Sequence, residues 1–380
     1  MLFICKLRHI IGNVQHSLPQ FCKNTFYSDR LPRGFLFQNS CLRGVTTASP
    51  TAPSRPRRKI WLYAFTGIFG GAFIGGTYTY YKLQQARTPI GNAGTGTTGI
   101  VLPTKPNTPI SKKVISPTDN LNLQLVLYQY QTCPFCCKVR TFLDYHGFSY
   151  DVVEVNPVMR QQMRWSTYKK VPILLAQVEN GYQQLNDSTM IISALTSFMN
   201  DQQSGLSAAV HCYPTISSKD EDGNIKTDIM NKYFLMFQDN IPKGYTKESL
   251  NEERKWRKWA DDVLVHALSP NRYIVIYVGA LAMWMIGKRL KKRHNLKDDV
   301  RQSLYDECNH LVNQLKIQKT PYLGGSSPNL ADLAAFGVLN SIEGCTAFKD
   351  LLQHSHIGTW YQNMKEAVQN HVGSAAMGAR

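Results

Sequence analysis

Acidic residues are almost absent from the first 113 residues of this 380-residue chain. That segment holds 15 Lys and Arg residues against one acidic residue, whereas residues 114–380 hold 28 Lys and Arg against 25 acidic residues. The formal net charge of +17 therefore lies mainly in the N-terminal segment. A nucleic-acid-binding protein carries its basic surface on the folded part, so the charge distribution argues against a nucleic-acid partner.

The nine cysteines lack the even number and the regular spacing of a disulfide scaffold. The folded part is therefore expected to face a reducing compartment, where a thiol is catalytic or inert rather than crosslinked. Cys133 and Cys136 have the spacing of zinc ligands, but no second closely spaced pair follows them. A structural zinc site needs that second pair, so no metal is predicted.

Three segments precede the folded part. Residues 1–59 form a basic leader with Asp29 as the only acidic residue, typical of either a mitochondrial presequence or a disordered leader. Ile60 to Tyr81 is an uncharged stretch of 22 residues, long enough for a single transmembrane helix; a buried glycine-rich helix is the alternative. Residues 82–118 are rich in Gly, Thr and Pro, which predicts a flexible linker.

Two folded domains are predicted beyond this linker. Residues 119–203 have the pattern β-α-β-α-β-β-α of a thioredoxin/glutaredoxin-like domain, with the alternating leucines of residues 121–127 in its first strand and a short helix at residues 158–168. Residues 204–251 are a predicted linker region, and residues 252–370 show the periodicity of a helical domain. The fold class is therefore an α/β domain plus an all-α domain, preceded by a single transmembrane helix.

The Cys-x-x-Cys motif lies between a predicted strand and a predicted helix. The N-terminus of a helix favours an anion, so Cys133 is the candidate nucleophile. Cys136 lies one helical turn further on and is either a resolving thiol or a packed bystander; an inert structural pair is the alternative. Tyr130 ends the strand, where its hydroxyl would lie beside the sulfur or on the domain surface.

Two further motifs suit a peptide-like ligand. Val171 and Pro172 open a predicted strand, and in thioredoxin-like proteins such a proline is cis and leaves the backbone before it open to a ligand. Asp187 and Ser188 begin a predicted helix, where they are ordinary caps or hold a carboxylate. A thiol, an open backbone edge and a carboxylate site together predict a glutathione pocket.

These motifs, in this order and followed by a helical half with the capping sequence NLAD, resemble those of the glutathione transferase superfamily. Within it, the stretches QTCPFCCKVRTFLDYHGFSYDVVEVNPV and YKKVPILLAQ are similar to the membrane-associated prostaglandin E synthase 2 family, over roughly residues 119–365. The resemblance implies an isomerase that converts prostaglandin H2, a lipid endoperoxide, to prostaglandin E2 by thiol catalysis. It implies that Cys133 is catalytic with Tyr130 beside it. The implied glutathione contacts are Val171, Asp187 and Ser188.

The same resemblance implies further partners. It suggests a homodimer and haem bound with glutathione; His266, Arg289 and Arg293 are the candidate contacts for haem or for the substrate carboxylate. It places the chain in the Golgi membrane, with a soluble cytoplasmic form after N-terminal release, whereas the basic leader favours mitochondria. Residues 272–279, RYIVIYVG, replace a longer helical segment of the family, so weaker haem binding and dimerisation are expected.

Two other functions remain open at the level of sequence. The second cysteine of the motif favours a glutaredoxin-like disulfide oxidoreductase, although such an enzyme does not need the large helical half. A non-enzymatic haem-binding or glutathione-binding protein at a membrane is the other alternative. An assay for the prostaglandin product and for reduction of a mixed disulfide separates these functions from one another.

Overall fold

The computed structural model describes residues 75, 78, 100–157, 159–219, 225–237, 245–269 and 300–378. A six-stranded mixed sheet with the order β1-β6-β5-β3-β4-β2 forms the first half. Its central strand β3 pairs in parallel with β4 and antiparallel with β5, and β5 pairs antiparallel with β6. The strands are β1 (Val101–Leu102), β2 (Lys112–Val114), β3 (Leu125–Gln129), β4 (Tyr150–Glu154), β5 (Ile173–Val178) and β6 (Gly181–Asn186).

Two helices of this half begin directly after candidate site residues, Cys133 and Asp187. Helix α1 (Pro134–His146) joins β3 to β4, and helix α2 (Ser188–Asn200) follows β6. Pro134 occupies the first turn of α1, where its missing N–H costs nothing. Gly147 ends the helix in the left-handed conformation, with φ of 73°. The thioredoxin-like domain predicted from the sequence is confirmed.

Two local predictions in this half were wrong. The alternating leucines of residues 121–127 predict a strand with one buried face and one solvated face. Strand β3 is instead buried on both faces. The helix predicted at residues 158–168 is a single 3₁₀ turn, Gln161–Met163. Arg160, directly before that turn, has a left-handed backbone with φ of 49°. A right-handed helix cannot continue through such a residue.

Ordered structure also begins earlier than predicted. Strands β1 and β2 lie within the predicted linker of residues 82–118, where they pair with β6 and β4. The hydroxyls of Thr108 and Tyr128 are also hydrogen-bonded to each other, with 2.8 Å between the oxygens. Pairing with the open edges of an existing sheet satisfies the backbone of these short strands, so this stretch is ordered without an apolar core of its own.

The predicted linker region of residues 204–251 likewise contains regular structure. It holds helix α3 (Gly205–His211), the antiparallel strands β7 (Thr215–Lys219) and β8 (Ile225–Ile229), and the start of helix α4 (Lys247–Trp259). The stretch after β8 lies along α2, because Ser193 Oγ donates to Lys232 O at 2.6 Å and Met236 N donates to Ser197 Oγ at 2.9 Å. These long-range bonds order a segment whose composition alone indicates a linker.

The second half is helical, as predicted. A capping box of Asn329 and Asp332 begins helix α7, which packs against α1. Gly337 permits the close approach, because a Cβ atom at that position would lie 2.6 Å from Lys138 Cα. The elements after α4 are a π-helical segment (Ala260–Leu264), α5 (Val265–Leu268), α6 (Val300–Gln318), α7 (Leu330–Asn340), α8 (Thr346–His354), α9 (Gly358–Gln369) and a 3₁₀ segment (Val372–Met377).

The predicted membrane span is not confirmed. Of residues 60–81, only Gly75 and Tyr78 belong to the described part of the chain, and both are helical. Among the described helices, none has the length and the apolar composition that crossing a bilayer requires. The basic leader of residues 1–59 and the shortened stretch at residues 272–279 also lie outside the described residues. These expectations therefore stay predictions.

Candidate functional site

The N-terminus of α1 presents one accessible sulfur. Cys133 is the residue that caps α1, with an extended backbone (φ −73°, ψ 124°), and it is half-buried. Its N–H donates to Tyr130 O at 3.0 Å, and its carbonyl accepts from Cys137 N at 2.8 Å. These bonds fix the turn between β3 and α1. The thiol therefore lies at the positive end of a 13-residue helix, where a thiolate is favoured over a thiol.

The next two cysteines along the chain, Cys136 of the motif and the adjacent Cys137, are buried. Cys136 and Cys137 are 0% and 1% exposed. Burial raises the pKa of the Cys136 thiol well above its usual value, and the hydrogen bond and the charge of Cys133 raise it further. Arg140 Nη2 donates to Cys137 Sγ at 3.0 Å, and Cys137 Sγ donates to Gln131 O at 3.6 Å. Only Cys133 is thus both accessible and placed at the helix end.

Tyr130 is half-buried beside the cysteines. Burial raises the pKa of its hydroxyl, while the guanidinium of Arg160 opposes that rise and the sulfurs of Cys136 and Cys133 add to it. The phenol therefore keeps its proton at neutral pH. The Arg160 side chain also donates from Nη1 to Lys169 O at 3.0 Å, so it links Tyr130 to the loop that leads to β5.

The predicted ligand contacts lie at the ends of β5 and β6. The Val171–Pro172 peptide bond is cis; Val171 is half-buried and Pro172 is buried. Asp187 caps α2, and its carboxylate accepts from Thr189 N at 2.9 Å and from Met190 N at 3.3 Å. Ser188 is 4% exposed in the first turn of α2.

The backbone of Asp187 has φ of 70° and ψ of 124°, which costs energy for any residue but glycine. Such strained residues cluster at ligand-binding sites. Two of the four predicted ligand contacts share the cis peptide bond before β5, and the other two share the start of α2, where Asp187 is held in an unfavourable conformation.

Two residues of the site were missed by sequence reasoning. Tyr168 is 8% exposed and hydrogen-bonds to the backbone of Asp187. Burial raises the pKa of Tyr168, and the charges of Asp187, Cys136 and Cys133 raise it further, so this phenol faces both the thiols and the helix start. Arg160 was missed as well. Both residues lie in the irregular stretch between β4 and β5, where no periodicity indicates which side chains point inward.

The remaining predicted contacts are His266, Arg289 and Arg293. His266 lies in α5 and is half-buried. Arg289 and Arg293 lie outside the described residues. The predicted contacts for haem or for a substrate carboxylate therefore stay predictions.

Comparison with known proteins supports the fold and assigns a family. Residues 127–200 match the family described as Glutathione S-transferase, N-terminal domain. Together with the helical half and the thiol at the start of α1, this match defines a glutathione-transferase-like enzyme.

Prostaglandin E synthase 2 of Danio rerio is 46% identical over 276 residues, which are 66% of this chain and 72% of that protein. The Mus musculus protein of the same name is 46% identical over 275 residues, 65% and 71% of the two chains. The chain therefore belongs to the prostaglandin E synthase 2 family, as its sequence motifs indicated, and it is an isomerase.

Among solved structures, glutathione transferase F7 from Populus trichocarpa superposes with a TM-score of 0.41 at 14% identity. The match covers 67% of this chain and 99% of that one. Glutathione S-transferase III in its apo form gives 0.41 at 16% identity, over 68% and 98% of the two chains.

Proposed function

We propose that this chain isomerises prostaglandin H2 to prostaglandin E2, with the Cys133 thiolate as nucleophile and a glutathione site beside it. One observation carries the proposal. In a chain of the prostaglandin E synthase 2 family, Cys133 is half-buried at the start of α1, whereas Cys136 and Cys137 are buried. The chemistry needs one reachable sulfur.

The rearrangement of a cyclic peroxide to a ketone and an alcohol involves no net gain or loss of electrons. The thiolate attacks the peroxide oxygen that becomes the ketone, so an S–O bond forms and the O–O bond breaks. The other oxygen leaves as an alkoxide and takes a proton from the neutral Tyr130 phenol. The Tyr130 phenolate left by that transfer takes the proton from the carbon that bears the first oxygen, which forms the carbonyl, breaks the S–O bond and restores both the thiolate and the phenol.

The glutathione site in this proposal consists of Val171, Pro172, Asp187 and Ser188. The N–H and hydroxyl of Ser188, in the first turn of a 13-residue helix, suit a carboxylate, and the strained turn at Asp187 supports a ligand-binding role. Bound there, glutathione supplies a second thiol within the pocket. Haem is left out of the proposal, because the described residues offer only His266 among the contacts predicted for it.

A second candidate is a disulfide oxidoreductase. The observation that favours it is the hydrogen bond between the thiols of Cys136 and Cys133, which places the two sulfurs as a dithiol exchange requires. Against it stands the burial of Cys136 and the raised pKa of its thiol, because thiol–disulfide exchange proceeds through thiolates.

Two variants of the full chain test the proposed function. Isomerisation needs one thiolate, so Cys133→Ser is expected to abolish conversion of prostaglandin H2 to prostaglandin E2, measured by product analysis. Cys136→Ser is expected to retain most of it. Equal loss in both variants, together with reduction of a mixed disulfide by the wild type, would show that the protein is a dithiol oxidoreductase instead.

A further inference from the structure

Three side chains form a closed, buried triangle where the two halves of the fold meet. Lys138 Nζ donates to Thr189 Oγ1 at 3.1 Å, and Thr189 Oγ1 donates to Asp261 Oδ2 at 2.5 Å. Lys138 Nζ also pairs with the Asp261 carboxylate. The side chains of Lys138 and Asp261 are 2% and 11% exposed. The three residues are far apart in the sequence, so the triangle exists only in the folded chain.

The corners of the triangle belong to the elements that carry the site. Lys138 lies in α1, five residues after Cys133. Thr189 lies in the first turn of α2, directly after Asp187 and Ser188, and its N–H donates to Asp187 Oδ1. Asp261 belongs to the π-helical segment of the helical half. One carboxylate therefore holds both the helix of the thiol and the helix of the ligand contacts.

Asp261 lies in the π-helical segment, and its side chain is largely buried. The five residues of that segment, Ala260–Leu264, interrupt the path from α4 to α5, and Asp262 beside Asp261 is exposed. Such segments are rare and occur often at functional sites. Although burial opposes ionisation, the Lys138 ammonium and hydrogen bonds from Lys138, Thr189 and Tyr233 hold the pKa of Asp261 below its usual value. The carboxylate is thus a charged acceptor.

Stability alone is a weak explanation for this arrangement. Replacing a buried ion pair by apolar residues of similar volume often leaves stability unchanged or raises it. Apolar contacts do not depend on direction, whereas hydrogen bonds do. The triangle closes only when α1, α2 and the π-helical segment lie in one mutual arrangement. Movement of α2 away from the π-helical segment would break the bond from Thr189 to Asp261.

We propose that Lys138, Thr189 and Asp261 are positioning residues, which fix the start of α2, and with it the ligand site at Asp187 and Ser188, relative to the Cys133 thiol. The inference rests on the proposed glutathione site. It predicts that removal of the Thr189 hydroxyl weakens glutathione binding. The Cys133 thiol itself keeps its place without that hydroxyl, because α1 stays tied to Asp261 through Lys138.

The test uses Thr189→Val in the full chain, because valine has nearly the shape of threonine but no hydroxyl. Thr189→Ser restores the hydroxyl. Thr196→Val is the matched control: Thr196 lies on the same helix and is also buried, but its hydroxyl donates to Ile192 O within α2. Glutathione dissociation constants come from titration calorimetry. The rate of alkylation of Cys133 by iodoacetamide is followed on its peptide by mass spectrometry.

Thr189→Val is expected to raise the glutathione dissociation constant about tenfold, equivalent to about 1.4 kcal/mol, with the alkylation rate of Cys133 unchanged. Thr189→Ser and Thr196→Val should stay within about twofold of wild type by the same reasoning. A purely structural role would instead lower the melting temperature and change both readouts together. Thr189→Ala, which has no added atoms to clash, gives the same test if the valine variant does not fold.

Two results would overturn the inference separately from the proposed function. If wild type binds glutathione and Thr189→Val binds it equally well, the triangle does not position the ligand site. The same holds if Thr196→Val loses as much affinity as Thr189→Val. If the wild type itself does not bind glutathione, the proposed glutathione site is wrong and the positioning role falls with it.

Discussion

His146, the last residue of α1, makes the stability of this protein sensitive to mild acid. Its ring is 7% exposed and packs against Phe142 and Tyr145, with centroids 4.6 and 5.0 Å away. Its Nδ1 donates to Gly373 O at 3.0 Å, and its buried Nε2 has no hydrogen-bond partner among the described residues. Burial lowers the pKa of His146 to about 4, against the opposing effect of the Gly373 carbonyl.

The size of the effect follows from the difference between the folded and unfolded pKa values. The folded state favours the neutral ring, so the contribution is fully present above the unfolded value of about 6.5. It is lost as the pH falls towards the folded value of about 4. Linkage gives a loss of about 2 kcal/mol at pH 5 and about 3 kcal/mol below pH 4. That is a large part of the roughly 5 to 15 kcal/mol of a typical domain.

His146→Asn isolates this contribution, because asparagine places an N–H near the position of Nδ1 and does not titrate. The variant is expected to be less stable than wild type at pH 7, since it loses the ring packing. Urea unfolding at pH 7, 6 and 5 should show the difference in unfolding free energy shrinking as the pH falls. His211→Asn, at an exposed position, is the control. Parallel pH profiles for wild type and His146→Asn would refute the argument.

Three shorter predictions concern the fold and the site. Gly337→Ala should cost about 2 kcal/mol or more, since its Cβ would lie 2.6 Å from the backbone of α1. Gly358→Ala, with no atom nearer than 3.8 Å, should be nearly neutral in the same thermal melts. Arg160→Gln should raise the pKa of Tyr130, seen as a tyrosinate absorbance change that Tyr130→Phe removes. Full-length protein should stay with membranes after carbonate extraction, and its release would exclude the predicted span.

Sequence reasoning succeeded where the signal is local. The position of the Cys-x-x-Cys motif between a strand pattern and a helix pattern predicts a helix start at the thiol, and the cap at Asp187 is equally local. It failed where order depends on distant partners. Strands β1 and β2 exist because β6 and β4 offer open edges. The pair of Lys138 and Asp261 joins residues 123 positions apart, which no window along the chain reveals.

The failed helix at residues 158–168 shows a different limit. Its residues have an apolar spacing that suits a helix, but Arg160 adopts a left-handed backbone and ends the pattern. That conformation turns the stretch into the irregular loop from which Arg160 and Tyr168 reach the site. Sequence rules therefore failed at the point where the chain departs from regular structure to build its site, as expected for functional regions.

The geometry of α1 favours a mechanism that uses one thiol over one that uses two. Residues three and four positions after a helix cap lie one turn deeper on the helix, so the spacing that leaves Cys133 half-buried also buries Cys136 and Cys137. The raised pKa of Cys136 keeps it protonated at neutral pH. A protonated neighbour donates a hydrogen bond to a thiolate at Cys133 without competing for the substrate. In the sequence, the second cysteine of the motif favours a dithiol enzyme. In the folded chain, its burial and its raised pKa are compatible with single-thiol isomerisation.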